Sequence, residues 1–426
     1  MQIYPLTFDE KKWKKLFFSI WSGQAFSLFG STLVEFSLIW YLTDKTGSAT
    51  VLSINMLFML LPTLLVGPFA GALVDRWNRR WVMIVADTFI AMTTLLMVGL
   101  FYLGAVQPWH IYLVIFLRSA AGLFHFTAML ASTSLMVPEG QLNRISGLNQ
   151  ALRGGMNIVA PPIGAILISF LPMHQILMLD IFTAAIAVIP LIFILVPQPK
   201  NTSTEKVTLD GLFADIQSGI GYARRWPGML GLMLMALLVN FVFNPINALM
   251  PLVVKNHFHA GAMQLGWIEM SIGMGVVLGG VTLSIWGGFT KRMTTISLAL
   301  MLTGFGFLGI GFLPEDGLWL CVVLIFFVGV VVPFIDGPIN AIIQAKASLE
   351  YQGRLMTLLI FSSKITVPLS MLIAGPLADR LGILFWYRTG GLLIGLVALA
   401  TLFSPSMMRI EEGVKVERLQ PVEHAV

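Results

Sequence analysis

Gly71-Ala72-Leu73-Val74-Asp75-Arg76-Trp77-Asn78-Arg79-Arg80 sets four charges within six positions, and a long apolar run meets it on either side, 49–73 and 81–105. A run of about 20 apolar residues crosses a bilayer as a helix, because in lipid the backbone must satisfy its own hydrogen bonds. Three arginines in a short loop between two such spans mark the inner face, where Lys and Arg collect. The composition extends this reading to the whole chain. Hydrophobic residues are 57% of the 426 and charged residues 11%, against roughly 45–50% and about 25% in soluble domains. Too few charges remain to cover a water-soluble core, and a mean hydropathy of +0.85 makes lipid the solvent for most of the chain.

Twelve apolar runs follow, at roughly 16–42, 49–73, 81–105, 111–136, 146–171, 175–197, 229–254, 262–286, 293–313, 317–344, 355–377 and 384–404. The first is preceded by Lys11, Lys12, Lys14 and Lys15 but is too long for a signal-peptide core, so it counts as a span. Of the 26 Lys and Arg, Lys45, Lys255, Arg380 and Arg388 fall outside or at the outer rim, and Arg118, Arg153 and Lys364 fall within spans. All the others lie inside when both termini are cytoplasmic, which fixes that topology. The net charge of +5 therefore reads as topology rather than as a nucleic-acid surface. Cys321 is the one cysteine, so no disulfide, thiolate metal site or CxxC pair is expected, and no cofactor site is visible.

The polar segment 198–228 divides the spans into 1–197 and 229–426, and within it 212–222 reads as an amphipathic helix on the inner membrane surface. The two halves repeat: a shift of 212 residues lays Arg79-Arg80 on Lys291-Arg292 and Gly67 on Gly279. The expected fold is an all-α polytopic membrane protein of twelve transmembrane helices in two parallel six-helix repeats, able to rock around a site between them. No Walker A pattern is present, so any transport would draw on a gradient rather than on ATP.

The segment Gly71–Arg80 resembles the G-x-x-x-D-R-x-x-R-R signature of the major facilitator superfamily. Arg118-Ser-Ala-Ala-Gly122 is similar to the R-x-x-x-G signature of its drug:proton antiporters. Ala160-Pro161-Pro162-Ile163-Gly164 resembles their G-P-x-x-G pattern, with Ala for the first Gly. Ile20-Trp21-Ser22-Gly23-Gln24-Ala25 and Val332-Pro333-Phe334 look like the macrolide-efflux branch, to which siderophore exporters are related. The resemblance implies a major facilitator fold, protons and a small lipophilic or cationic molecule as partners, and a monomer in the lipid of a bacterial plasma membrane. It also implies a conformational latch of Gly71, Asp75, Arg76, Arg79 and Arg80. Asp75 would face the N-terminus of span 11, near residue 355, and hold the outward-open state through the helix dipole. Plain positive-inside anchoring is the alternative. Arg76, Arg79 and Arg80 would pair with Glu139 and neighbouring acids. Gly375-Pro-Leu-Ala-Asp379-Arg380 reads like a second copy of the loop signature, but parity puts it on the outer face, where it is expected to be a helix terminus.

Ionisable groups within spans are costly and mark functional candidates. By helical rise Glu35 and Arg118 lie at one depth, about 10 Å below the outer end. Together they would bind a proton or a cationic substrate in competition, or form a static pair. Asp336 and Lys364 share a level on the order of 15 Å from the inner face. They read as a structural bridge or as part of a proton path. His125 and Arg153 are their counterparts in the first half, His125 being either a satisfied interior imidazole or a switch that titrates near neutrality. Glu269, near the depth of Glu35, offers a second carboxylate. Asp87 and Asp180 sit closer to span ends and read as helix-packing groups. The main expectation is a proton-driven exporter, with a metabolite or siderophore exporter and a non-transporting sensor as rivals. An intramembrane enzyme lacks its motifs, since HExxH, GxGD and GxSxG are absent.

Overall fold

The computed structural model describes residues 10–198 and 209–413, and among these every regular element is a helix. Along the first six spans these are α1 (Glu10–Thr46), α2 (Ala49–Leu65), α3 (Gly67–Arg76), α4 (Arg79–Tyr102), α5 (Pro108–Met136), α6 (Leu142–Phe170) and α7 (Met173–Phe193). After α8 (Leu209–Arg225) come α9 (Met229–Leu252), α10 (Ala262–Trp286), α11 (Arg292–Gly311), α12 (Leu318–Val331), α13 (Pro333–Lys346), α14 (Leu349–Leu381) and α15 (Leu384–Phe403). Eleven helices are long and apolar enough to cross a membrane, and α2 with α3 makes the twelfth span, bent by 59°. The break at Val66 precedes Pro68, which has no N–H to continue the ladder. In span 10 α13 begins at Pro333, but Val332 keeps helical dihedrals and Leu318–Lys346 runs as one span.

Within the first six spans α1 packs on α6 and α7, and α4 on α5 and α7; within the last six, α11 packs on α15, α10 on α12 and α9 on α14. The two sets meet chiefly along α6–α10 and α2–α14. Two faces can be distinguished by their loops. The basic face carries the 76–80 loop, and the opposite face carries the α1–α2 turn and the end of α14.

The buried apolar residues show which face is closed. The larger cluster runs across both sets, and the first set enters it through residues near the opposite face, such as Leu42, Leu52, Met97 and Ile111. Toward the basic face the first set has a cluster of its own, built on Trp13, Phe17, Val74, Met83, Met136 and Leu191, with no member from the last six spans. The helices therefore converge at the opposite face and part at the basic one.

The segment between the two sets corrects one expectation. Rather than merely lying on a membrane surface, α8 docks on α14. The Tyr222 ring stacks on Tyr351 with centroids 4.4 Å apart, and the Tyr222 hydroxyl accepts from the Ser348 backbone N–H at 3.1 Å.

Candidate functional site

A cavity of about 590 Å3 lies among α1, α2, α4, α5 and α6, a volume in the range of small-molecule sites. Its wall includes Gln24, Glu35, Asp87, Arg118, His125 and Arg153, set among Trp21, Phe126 and several methionine and leucine side chains. Five of the sequence candidates are thus settled in position: Glu35, Arg118, His125 and Arg153 share the cavity, and Glu269 on α10 lies close enough for its charge to interact with that of Glu35. The Arg153 guanidinium sits over the Phe126 ring, 4.2 Å from its centroid, a cation–π contact that holds the charge in an apolar wall.

The partnership expected for Arg118 is different. Its guanidinium is bound by Asp180 on α7, which also accepts from Ser31 at 3.1 Å and Thr94 at 2.9 Å. One carboxylate, 1% exposed at its side chain, thereby ties α1, α4 and α5 to α7. Depth counted along helices matched Glu35 to Arg118, whose charges do interact across the cavity, but the partner that the guanidinium binds directly is Asp180. Asp87, also read as a packing group, accepts from Gln24 at 3.1 Å and stands 3.6 Å from Nε2 of His125. His125 is therefore not a lone imidazole; it faces a carboxylate in the cavity wall. Glu35 accepts no hydrogen bond and joins no ion pair among the described residues. It is the uncommitted acid of the cavity.

The second expected set is not assembled. Asp336 is exposed near the start of α13 and Lys364 is half-buried on α14, and the two form no ion pair among the described residues. α13 packs mainly on α11 and only lightly on α14, so the packing does not bring Asp336 to Lys364.

At the basic face Asn78 accepts from the N–H groups of Arg80 and Trp81 and caps α4. Asp75, 52% exposed, takes Arg79 as its partner at 3.0 Å, and Arg79 also donates to the Ala131 carbonyl at 2.8 Å. Arg80 donates to the Leu191 and Ile192 carbonyls at the C-terminus of α7, where a cation is favoured. Among the described residues Asp75 and backbone carbonyls, rather than Glu139, engage Arg79 and Arg80, and Arg76 stands in the last turn of α3. Nothing lies within 4 Å of where a Cβ on Gly71 would be, so no helix has closed on that face of α3. The α6 motif sits at the meeting of the two sets. A Cβ on Gly266 of α10 would lie 3.2 Å from the Pro161 carbonyl, and one on Gly164 would strike Phe36 of α1 at 2.9 Å.

The family model described as Major Facilitator Superfamily matches residues 20–367. The chain belongs to the major facilitator superfamily. It is 35% identical over 389 residues to macrolide efflux protein A of Streptococcus pyogenes, covering 91% of this chain and 95% of that relative. Multidrug efflux pump Tap of Mycobacterium bovis is 26% identical over 409 residues, covering 93% of this chain and 94% of its own. The solved structure of a bacterial homologue of the iron transporter ferroportin, in an inward-facing state, aligns with a TM-score of 0.69 at 15% identity, covering 92% of this chain and 99% of that one. The shared property there is the fold.

As a major facilitator protein, the chain carries its signature loop at the end of the bent second span, with Asp75 disengaged from α14. Hydrogen bonds between the two sets of spans among the described residues gather at the opposite face, where Lys255 reaches Thr43 and Asp44, and Asp379 reaches residues 48–50. The cavity is open toward the basic face and shut at the other.

Proposed function

We propose that this chain is a proton-coupled exporter of lipophilic, cationic compounds of the macrolide type, in a bacterial cell membrane with the basic face and both termini cytoplasmic. It would move its substrate unchanged, as a monomer among lipids, with 1–197 and 229–426 as the two moving halves and 198–228 joining them. The observation that carries this reading is Glu35, a carboxylate without a committed partner in a cavity whose other acids, Asp87 and Asp180, are already engaged. Likeness to two efflux proteins supports the direction of transport.

In the state seen, a cationic substrate entering from the cytoplasmic side meets the Glu35 carboxylate and displaces a proton toward that side. Soft and aromatic side chains of the wall, Met59, Met129, Trp21 and Phe126 among them, would accept varied apolar surface. After the halves rock, an external proton takes the carboxylate and the cation leaves. Glu269 and the His125–Asp87 pair would modulate that exchange through their charge. Asp75, in the outward-open state, would sit against the N-terminus of α14 and be held there by its dipole.

Two measurements test this. Purified protein in proteoliposomes should accumulate a labelled macrolide in the lumen against its gradient when the lumen is made acidic relative to the medium. No gradient-driven movement of any tested compound would convert the reading to a sensor, and movement of a single metabolite or siderophore in place of drugs would change the substrate class. In a Cys321→Ala background, single cysteines at 378–383 should react with an impermeant maleimide from outside and cysteines at 75–80 only after permeabilisation. The reverse pattern would overturn the orientation and with it the direction of export.

A further inference from the structure

The opposite face carries a contact between the halves that neither the signature loop nor the cavity explains. Asp379, in the last turn of α14, accepts from the backbone N–H of Ala49 at 2.7 Å and from that of Thr50 at 3.1 Å. It also accepts from the Thr50 hydroxyl at 2.6 Å and the Ser48 hydroxyl at 3.1 Å. These donors are the free N-terminal groups of α2, which favour an anion. An acid in the last turn of its own helix is disfavoured by that helix's dipole, so Asp379 is placed for α2 rather than for α14. One turn earlier Gly375 makes room: a Cβ there would lie 2.4 Å from the Thr50 Cα. Across the same turn, Lys255, just beyond α9, donates to the Thr43 carbonyl at 3.2 Å and to that of Asp44, and pairs with the Asp44 carboxylate at 3.3 Å. The carbonyl end of α1 is thus met by a cation and the amide end of α2 by an anion, both supplied by the last six spans.

The spacing gives this contact its meaning. Gly375 and Asp379 stand four apart followed by Arg380, as Gly71 and Asp75 stand four apart followed by Arg76. The spans α2–α3 and α14 are antiparallel neighbours, each with Gly-x-x-x-Asp at its C-terminal end and the other's N-terminus opposite. In this structure the copy on α14 is engaged and the copy on α3 is not. We propose that Asp379, Gly375 and Lys255 form an outer clamp, closed while the cavity faces inward and broken when it opens outward, the counterpart of Asp75 in the reverse state. The outer clamp takes its sidedness from the proposed orientation, but its operation requires no particular substrate or proton site.

The test is a distance measurement without substrate or gradient. In Cys321→Ala protein, spin labels on Gln107→Cys and Asp316→Cys, both exposed at the opposite face, report the separation of the halves. Asp379→Asn should raise the ratio of the outward-open to the inward-open population several-fold, the size expected from removing a carboxylate charge from a helix N-terminus. Thr50→Val and Lys255→Met should shift it the same way by less. Asp75→Asn should shift it oppositely, and Asp75→Asn with Asp379→Asn should return toward the parent distribution. Unchanged distances in Asp379→Asn, or a shift toward the inward-open state, would overturn the clamp. Should Asp379→Asn fail to fold, unchanged distances in both Thr50→Val and Lys255→Met would do so. A null flux result in the proteoliposome assay leaves this measurement intact, so the two ideas fail separately.

Discussion

The Glu35→Gln protein is expected to lose all uphill export while keeping downhill flux. Glutamine is isosteric with the protonated acid, so the cavity and the motion of the halves remain, but the exchange of proton for cation does not. Accumulation in proteoliposomes should fall to the level of simple equilibration. In the native protein substrate affinity should drop as the medium is acidified, since proton and cation compete for one carboxylate, and the variant should lack that component. The geometry sharpens the expectation, because the nearest alternatives are already committed: Asp87 to Gln24 and His125, Asp180 to Arg118. A Glu35→Gln protein that still concentrates substrate would remove Glu35 from the coupling and move the proton to Glu269 or to the His125–Asp87 pair.

The second large effect is on stability. Asp180→Ala removes the acceptor of Ser31, Thr94 and Arg118 at once and leaves a guanidinium, 11% exposed at its side chain, without its counter-charge. Breaking one partner of a buried pair costs roughly 3–5 kcal/mol, enough to lower the thermal midpoint in detergent markedly and to reduce membrane yield. Replacing both partners, with Arg118→Met and Asp180→Leu together, should recover most of that loss, because an apolar pair leaves no uncompensated charge. A single Asp180→Ala variant within about 1 kcal/mol of the parent would show that the pair contributes little, as solvated pairs do.

The spans and the charged loops were legible because lipid imposes them: an apolar run of the right length has few alternatives, and Lys and Arg gather in the loops. Depth by helical rise paired Glu35 with Arg118 and His125 with Arg153 as two separate sets, and only the structure shows all four lining one cavity. Direction around each helix was not legible. Asp180 and Arg118 begin from different levels in α7 and α5, and only the packing of α7 against α1 and α4 turns the carboxylate toward the guanidinium. Asp87 and Asp180 were passed over for lying near span ends, although their charge within lipid was itself the signal. Asp336 and Lys364 show the converse: a shared level does not make a pair when α13 and α14 touch only lightly. The second copy of the loop signature lies on the face opposite the 76–80 loop, and its partner is on another helix 330 residues away, beyond the reach of local sequence.

The 59° bend between α2 and α3 has a kinetic consequence. A straight rod pivoting between two halves must release one end as it seizes the other, so it has two resting positions. A jointed rod has a third. With α2 pinned to α14 and α3 packed on α5, a joint at Val66 would let the far end close before the near end lets go. A carrier jointed in this way would pass through an intermediate sealed to both sides, sparing the membrane a leak at the moment of exchange.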